Sequence, residues 1–169
     1  MTTIYLVRHA QAEGNLYRRM HGQYNSSLTA MGRQQLPPLA ARFAAVPLEA
    51  VYSSDLCRAY QTACAIAGPH RLPVQPDMRL REVDVGCWDN LPFGELETHH
   101  AADDARWQTE PEHFHPAGGE DWTAYTGRVI AALDEIAARH PGQQVAVVTH
   151  SMVLKQTLRR LFPGQTPAY

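Results

Sequence analysis

The chain has 169 residues, 44% of them hydrophobic and 19% charged, which is typical of one globular domain with a continuous core. Its formal net charge of −2 at pH 7 excludes the basic surface that duplex nucleic acid requires, so no nucleic-acid partner is expected. No apolar run approaches the length of a membrane span, so no membrane partner is expected either. Three cysteines without C-x-x-C spacing suit reduced thiols, and without a secretory signal at the start we expect a cytoplasmic location.

The first predicted strand and helix lie before residue 47. TIYLV at residues 3–7 is apolar and rich in β-branched side chains, which predicts a strand covered on both faces. The pattern from residue 28 to about residue 46 predicts a helix, with Thr29 as its N-cap. Because Pro37 and Pro38 lack backbone N–H donors, we expect a kink or a break in that helix.

A second strand and helix follow, and then a short strand. AVYSS at residues 50–54 predicts another buried strand. The run LCRAYQTACAIAG predicts a helix that is N-capped by Ser54 or Asp55 and closed by Gly68. A short strand is expected near PVQPD, at residues 73–77.

The second half of the chain begins with a long segment that has no clear periodicity. Residues 81–120 are predicted to be irregular, and their aromatic content favours a binding lid over a disordered insertion. Residues 121–140 predict a helix, QVAVVTH at residues 144–150 predicts a third buried strand, and residues 152–162 predict a last helix. Strands that alternate with helices predict a layered α/β fold.

Chemically versatile side chains follow the predicted strands. Arg8 and His9 end the first strand, Arg58 falls in the first turn of the helix after the second, and His150 ends the last. Glu82 follows the short strand. In open α/β sheets ligands bind beyond the carboxyl ends of the strands, so these residues are expected to converge on one site.

Each of these residues, taken singly, also has an ordinary structural explanation. A lone histidine at a strand end is more often a hydrogen-bonded structural residue, a lone arginine can cover a helix flank, and a lone glutamate is usually a surface charge. A metal site is less favoured, because the four histidines of the irregular segment lack fixed helical spacing and a carboxylate pair: His99, His100, His113 and His115. We therefore expect no metal and no cofactor.

Six segments match, in order, the motifs of a known family. They are LVRHAQAEGN, HGQYNSSLTAMGRQQ, VYSSDLCRAYQTA, RLREVDVGCWDN, PAGGED and VAVVTHSMV. From about residue 4 to residue 160 the chain resembles the histidine phosphatase superfamily, which includes the cofactor-dependent phosphoglycerate mutases. The resemblance implies a phosphoglycerate mutase-like, three-layer α/β/α fold with a mostly parallel central sheet. It also implies a single domain over residues 1–169, with a lid-like insertion at about residues 83–120.

The resemblance assigns a role to each residue at the strand ends. His9, in the RHG-like motif, matches the histidine that is phosphorylated in the family. Arg8, Arg58 and His150 match residues that bind the phosphate, and Glu82 matches the general acid and base. This set suits the chemistry, because a phosphate ester needs positive charge on its oxygens, a nucleophile that is neutral near pH 7, and a proton for the leaving alkoxide.

Three further polar residues are expected to bind the substrate. Asn15 and Gln23 match positions that contact the phosphoryl oxygens. Ser151 stands, together with Met152, where the family has a glycine-rich pair at the floor of the pocket. The chain ends at Tyr169, where members of the family usually continue into another strand.

The predicted function is hydrolysis of a phosphate monoester of a small metabolite through a phosphohistidine intermediate. The substrate range could be broad or narrow, for example a nucleotide-like ester such as α-ribazole phosphate. A cofactor-dependent phosphoglycerate mutase is the alternative within the family, but the phosphatase branch is favoured by the SSDLxRAxQTA and REVDVGCWDN patterns. A catalytically inactive module that binds phosphorylated ligands is the alternative of another class. The sequence leaves the oligomeric state open.

Overall fold

The computed structural model describes residues 1–162, and its centre is a four-stranded sheet. The strands are β1 (Thr3–Arg8), β2 (Leu48–Ser53), β3 (Val74–Pro76) and β4 (Gln144–Thr149). Their order across the sheet is β1-β4-β2-β3, and every neighbouring pair is parallel. The predicted parallel sheet is therefore confirmed, with β2 beginning slightly earlier than its sequence pattern indicates.

Seven α-helices lie within the described residues. They are α1 (Glu13–Leu16), α2 (Ala30–Ala44), α3 (Cys57–Ala67), α4 (Phe93–His99), α5 (Ala101–Thr109), α6 (Trp122–Arg139) and α7 (Ser151–Leu161). The helices predicted after each strand are present, and Gly68 is the C-cap of α3 as predicted. The prediction that residues 81–120 are irregular is wrong, because this segment contains α4 and α5. Both are short, and each buries one large side chain, Leu96 or Trp107, against the rest of the protein.

Helix α2 runs through Pro37 and Pro38, so of the predicted kink or break the break is wrong. Both prolines are exposed, as is the face of the helix one turn before them. The carbonyl groups that lose an N–H partner can therefore bond to water. The N-cap prediction is confirmed, since Thr29 Oγ1 accepts a hydrogen bond of 2.9 Å from the Gly32 N–H.

The predicted N-cap of α3 is wrong. Leu56 occupies the N-cap position, and its side chain makes no capping hydrogen bond. The Cys57 N–H at the start of the helix donates instead to Asn25 Oδ1 at 2.7 Å, and the Leu56 N–H donates to Ser54 Oγ at 3.3 Å. The two residues expected in that role have other partners: Ser54 Oγ lies 2.8 Å from His150 Nε2, and the Asp55 carboxylate is ion-paired with Arg81. These contacts point towards the ends of the neighbouring strands, which is where the candidate site lies.

Apolar side chains pack on both faces of the sheet, which makes the fold three-layered as predicted. On one face the cluster joins β2 and β4 to α2 and α3, and it includes Phe43, Val51, Ala63, Ile66 and Val148. On the other face β2 and β4 pack against α6, α7 and residues of the 81–120 segment, including Tyr52, Trp88, Val129, Val147 and Val153. No helix within residues 1–162 has the length and apolar character needed to cross a membrane.

Candidate active site

The parallel register of β1 and β4 brings two histidines together. Arg8 pairs with Thr149 at the ends of these strands, and the His9 N–H donates a 2.9 Å hydrogen bond to the Thr149 carbonyl. His9 and His150 each follow the last residue of a strand, so their side chains emerge at the same edge of the sheet. The centroids of their rings are 5.2 Å apart.

The contacts of His9 define which ring nitrogen is available. Its Nδ1 lies 2.7 Å from the Ala10 carbonyl oxygen, which can only accept, so Nδ1–H is the donor and Nε2 keeps its lone pair. His9 is 8% exposed and lines a cavity. Burial, and then the charges of Arg58 and Arg8, lower its pKa to about 3, so the imidazole is neutral near pH 7.

Arg58 and His150 are fully buried, and neither is among the residues that line the cavity. The Arg58 guanidinium donates 2.7 Å hydrogen bonds to the carbonyl oxygens of Gly22 and Tyr24, and burial lowers its pKa to about 10, which leaves it charged near pH 7. Burial also moves the pKa of His150 well below its usual value. The buried residues His9, Arg58 and His150 form the floor of the site. This floor therefore contains one cation and two neutral imidazoles.

His21 is a further member of the site that the sequence analysis did not single out. It lines the same cavity, and its ring centroid is 6.2 Å from that of His9. Its Nε2 lies 2.6 Å from Ser26 Oγ, and burial lowers its pKa to about 4. A Cβ atom at Gly14 would lie 2.5 Å from His21 Nδ1, so the glycine is needed for the ring to occupy this place. The available signal was its position in the HGQYNSS motif, two residues before the predicted Gln23.

Three nitrogen atoms around His9 are buried without a hydrogen-bond partner in the described part of the chain. They are His21 Nδ1, Arg58 Nε and His150 Nδ1. Buried polar atoms are nearly always paired, so a cluster of unpaired ones requires an explanation. Arg58 Nε is a donor, and the Nδ1 atoms of His21 and His150 are donors when each Nε2 accepts from the serine hydroxyl beside it. Such donors beside a buried cation suit a ligand with several acceptor oxygens and negative charge, such as a phosphoryl group.

Glu82 supplies the carboxyl group of the site. It is 6% exposed and lines the cavity together with His9. Its Oε1 accepts from the Val83 N–H at 3.1 Å and from the Tyr125 hydroxyl at 3.5 Å, and its Oε2 accepts from the Met152 N–H at 3.1 Å. Burial raises the pKa of Glu82, while the two N–H donors act in the opposite direction. A protonated form is thus available at higher pH than for an exposed glutamate.

Of the other predicted site residues, three line the cavity and one does not. Arg8, Asn15 and Ser151 line the cavity. Because Asn15 Oδ1 accepts from the Ala12 N–H at 2.9 Å, only its amide NH₂ remains to donate to a ligand. Gln23 does not line the cavity: its Oε1 accepts from Arg81, and its Nε2 approaches the Glu82 carbonyl oxygen at 3.4 Å.

The cavity has a volume of about 510 Å³, and its lining includes His9, His21 and Glu82. Its wall is formed by one face of α4 and one face of α5, through residues spaced i, i+3 and i+4 on each helix: Phe93, Leu96, Glu97, Asp104, Trp107 and Gln108. This wall combines the apolar Phe93, Leu96 and Trp107 with the charged Glu97 and Asp104. Arg18 and Arg19 also line the cavity.

The four histidines of residues 81–120 form no metal site within the described part of the chain. Within residues 1–162 no three His, Cys, Asp or Glu side chains are grouped so that they could hold a metal ion. His99 is the last residue of α4 and His100 follows it, whereas His113 ends a 3₁₀ turn and His115 lies in the irregular chain after that turn.

Comparison with known proteins identifies the family. The profile of the histidine phosphatase superfamily (branch 1) matches residues 4–168. Phosphoserine phosphatase 1 of Hydrogenobacter thermophilus is 34% identical over 155 residues, which are 92% of this chain and 74% of that protein. A probable phosphoglycerate mutase GpmB of Proteus mirabilis is 35% identical over 158 residues, 91% of this chain and 72% of that protein.

A solved structure leads to the same class. Bacillus stearothermophilus YhfR superposes with a TM-score of 0.93 at 33% sequence identity, over 100% of this chain and 86% of that one. The chain therefore belongs to the histidine phosphatase superfamily, and the predicted family and phosphoglycerate mutase-like fold are confirmed. It is an enzyme of the phosphatase or mutase type.

Proposed function

We propose that this protein hydrolyses phosphate monoesters through a phosphohistidine formed on His9. One observation carries the proposal: a neutral, oriented His9 imidazole is surrounded by three buried nitrogens without a protein partner and lines one cavity with a buried carboxyl group. The donors would stabilise the charge of the transferring phosphoryl group, and the arrangement needs no reorganisation when the group arrives. Arg8, Asn15 and Ser151 would contact the same group from the cavity side, and in this proposal His21 replaces Gln23.

The reaction has two steps. In the first, His9 Nε2 attacks phosphorus, the bond to the ester oxygen breaks, and Glu82 gives its proton to the departing alkoxide. In the second, water attacks phosphorus, Glu82 takes up a proton from that water, and the P–N bond breaks to release inorganic phosphate. One carboxyl group thus returns to its starting state after each turnover. The raised pKa of Glu82 supports its role in the first step.

The substrate is proposed to be a small phosphorylated metabolite with an apolar body. A cavity of about 510 Å³ is much larger than a phosphoryl group and is in the range of sites for drug-sized ligands. Phe93, Leu96 and Trp107 offer an apolar wall next to the phosphoryl end, which suits a nucleotide-like ester such as α-ribazole phosphate or a range of aromatic esters. In this proposal residues 83–120 act as a lid-like insertion in a single domain of residues 1–169.

A mutase is the second candidate, because one relative is named a probable phosphoglycerate mutase. A mutase must keep water away from its phosphorylated histidine until a second hydroxyl group accepts the phosphoryl group. Here exposed side chains, among them Arg18 and Glu97, line the cavity, which supports access of water. Hydrolysis is therefore the preferred proposal.

The proposal can be tested by trapping the intermediate. The enzyme is mixed with a phosphate-labelled aromatic ester and quenched in base, where a P–N bond survives, or in acid, where it hydrolyses. We expect a base-stable, acid-labile label on the peptide that contains His9, followed by release of inorganic phosphate. Vanadate should inhibit strongly, because it resembles the transferring group, and EDTA should leave the rate unchanged. Transfer of the label to 2-phosphoglycerate or 3-phosphoglycerate in preference to water would instead support the mutase, and absence of any label would support the inactive binding module.

A further inference from the structure

An arginine of α6 contacts the backbone of the segment that presents Glu82. Arg128 NH1 donates hydrogen bonds to the carbonyl oxygens of Arg79 at 2.7 Å and Arg81 at 2.9 Å. Its NH2 donates to the carbonyl oxygen of Glu82 at 3.0 Å. One guanidinium group therefore binds three carbonyl groups of a short stretch of chain that ends at the proposed acid.

Arg128 is itself restrained by two neighbours. Its Nε and NH2 form a bidentate ion pair with the Glu120 carboxylate at 2.6 and 2.7 Å, and its guanidinium lies 5.0 Å from the centroid of the Tyr125 ring. The Tyr125 hydroxyl in turn donates to Glu82 Oε1. Two residues on one face of α6 thus contact Glu82, one through its backbone and the other through its carboxyl group.

The segment needs such support because regular structure does not provide it. A 3₁₀ turn covers Met78–Leu80, and the chain from Arg81 to Val85 is neither helix nor strand. Apart from Arg128, the Thr149 hydroxyl donates to the Leu80 carbonyl oxygen at 2.7 Å, and the Gln23 amide approaches the carbonyl oxygen of Glu82. A general acid must lie within hydrogen-bond reach of the leaving oxygen, and a misplacement of about 1 Å can cost about 100-fold in rate.

We infer that Arg128 is a positioning residue for Glu82, a role that rests on the proposed function. Arg128 is not among the residues that line the cavity, and its hydrogen bonds run to the segment that presents Glu82. Its contacts therefore act on the proton-transfer group, and its charge reaches the phosphoryl site only as a minor contribution to the lowered pKa of His150. Lysine cannot replace it, because a single ammonium group does not reproduce the planar fork that bonds three carbonyl groups and one carboxylate. Loss of the guanidinium should therefore impair protonation of the leaving group and leave phosphoryl binding intact.

The test compares two esters of similar size in the phosphorylation step. Benzyl phosphate expels a poor alkoxide and needs the acid, whereas p-nitrophenyl phosphate expels a stable phenolate. We expect Arg128→Ala and Arg128→Lys to slow phosphoenzyme formation from benzyl phosphate about 10- to 100-fold, and from p-nitrophenyl phosphate at most about 3-fold. Inhibition by vanadate should be unchanged. Millimolar guanidinium should partly restore the benzyl phosphate rate of Arg128→Ala.

The matched control is Arg139→Lys, which alters another arginine of α6 that is ion-paired with Glu135 on the surface. It should match the wild type on both esters, with or without guanidinium. If Arg128→Ala does not fold, Arg128→Lys carries the comparison. Equal losses on the two esters, weaker vanadate inhibition, or full activity of Arg128→Lys would overturn the inference. Failure of the wild-type enzyme to form any phosphoenzyme would overturn the proposed function instead.

Discussion

The floor and the wall of the cavity are built in different ways. Floor residues such as His9 and Arg58 are buried, as is Glu82, and backbone groups of nearby loops and of the first turn of α7 bond to these residues. The wall formed by α4 and α5 depends on side-chain packing, with the Trp107 ring centroid 6.4 Å from that of Trp88 and 5.8 Å from that of Trp122. A rigid floor suits the shared chemistry of phosphoryl transfer, while a wall of replaceable side chains suits selection among esters.

Removal of the proposed nucleophile should give the largest effect, because it destroys the function of the floor. We expect His9→Ala to lower the turnover of every ester by about 1000-fold or more, since only binding and electrostatic contributions remain. Steady-state phosphate release from benzyl and p-nitrophenyl phosphate measures this. A variant that keeps a tenth of the wild-type rate would show that another group attacks phosphorus.

Glu82→Gln should separate proton donation to the leaving group from the attack of His9 on phosphorus. Without an acid, formation of the phosphoenzyme from benzyl phosphate should fall about 100-fold or more, and formation from p-nitrophenyl phosphate should fall much less. The wild-type rate with benzyl phosphate should decrease as pH rises through the raised pKa of Glu82, because the protonated form is the active one, and the variant should lose this dependence. Rapid mixing with a basic quench isolates the step. Equal losses on both esters would mean that Glu82 positions phosphate or water, and Asp84 and Glu13 would be tested next.

The residues of the floor could be predicted because each follows a strand. A parallel sheet brings the ends of β1, β2 and β4 to one edge, so residue type and position together indicate the buried His9 and His150, and with them the exposed Arg8 at the cavity. His21 could not be found in this way, since it lies in a loop. That loop is placed by Arg58, which bonds to its backbone carbonyl groups from a helix far away in the chain.

The wall was less predictable than the floor, because α4 and α5 are short. Helices of the length of α4 and α5 contain too few turns for a clear periodic pattern, and isolated peptides of that length are rarely helical in water. Their stability comes from packing of Leu96 and Trp107 against the rest of the fold. The spacing of Phe93, Leu96 and Glu97 is visible in the sequence, but it identifies a cavity face only when the position of the helix is known.

A change in the wall should alter selectivity with little effect on chemistry. Phe93 is partly buried and lines the cavity, so Phe93→Ala should lower kcat/KM for benzyl phosphate about 10-fold, in line with loss of part of an aromatic contact. Glycerol phosphate, which is too small to cover the wall, should be affected by no more than about 2-fold. Tyr60→Ala, which truncates an exposed aromatic residue of α3, is the control. The assignment of the wall to selectivity is wrong if both substrates lose the same factor.

The smallest expected effect concerns folding stability, and it tests whether the His9 imidazole is neutral in the folded protein. Burial lowers the pKa of His9 to about 3, so below its unfolded value near 6.5 the unfolded chain binds a proton that the folded chain does not. Folding stability should therefore fall as pH decreases from 7 to 5, and His9 should account for at most about 2 kcal/mol of that loss. Asparagine does not titrate in this range, so His9→Asn should reduce the slope of unfolding free energy against pH, as measured by urea titration. His99→Asn, which alters an exposed histidine at the end of α4, should keep the wild-type slope. An unchanged slope in His9→Asn would mean that the folded protein accepts a proton on His9 as readily as the unfolded chain, and the imidazole would then not be a neutral nucleophile at acidic pH.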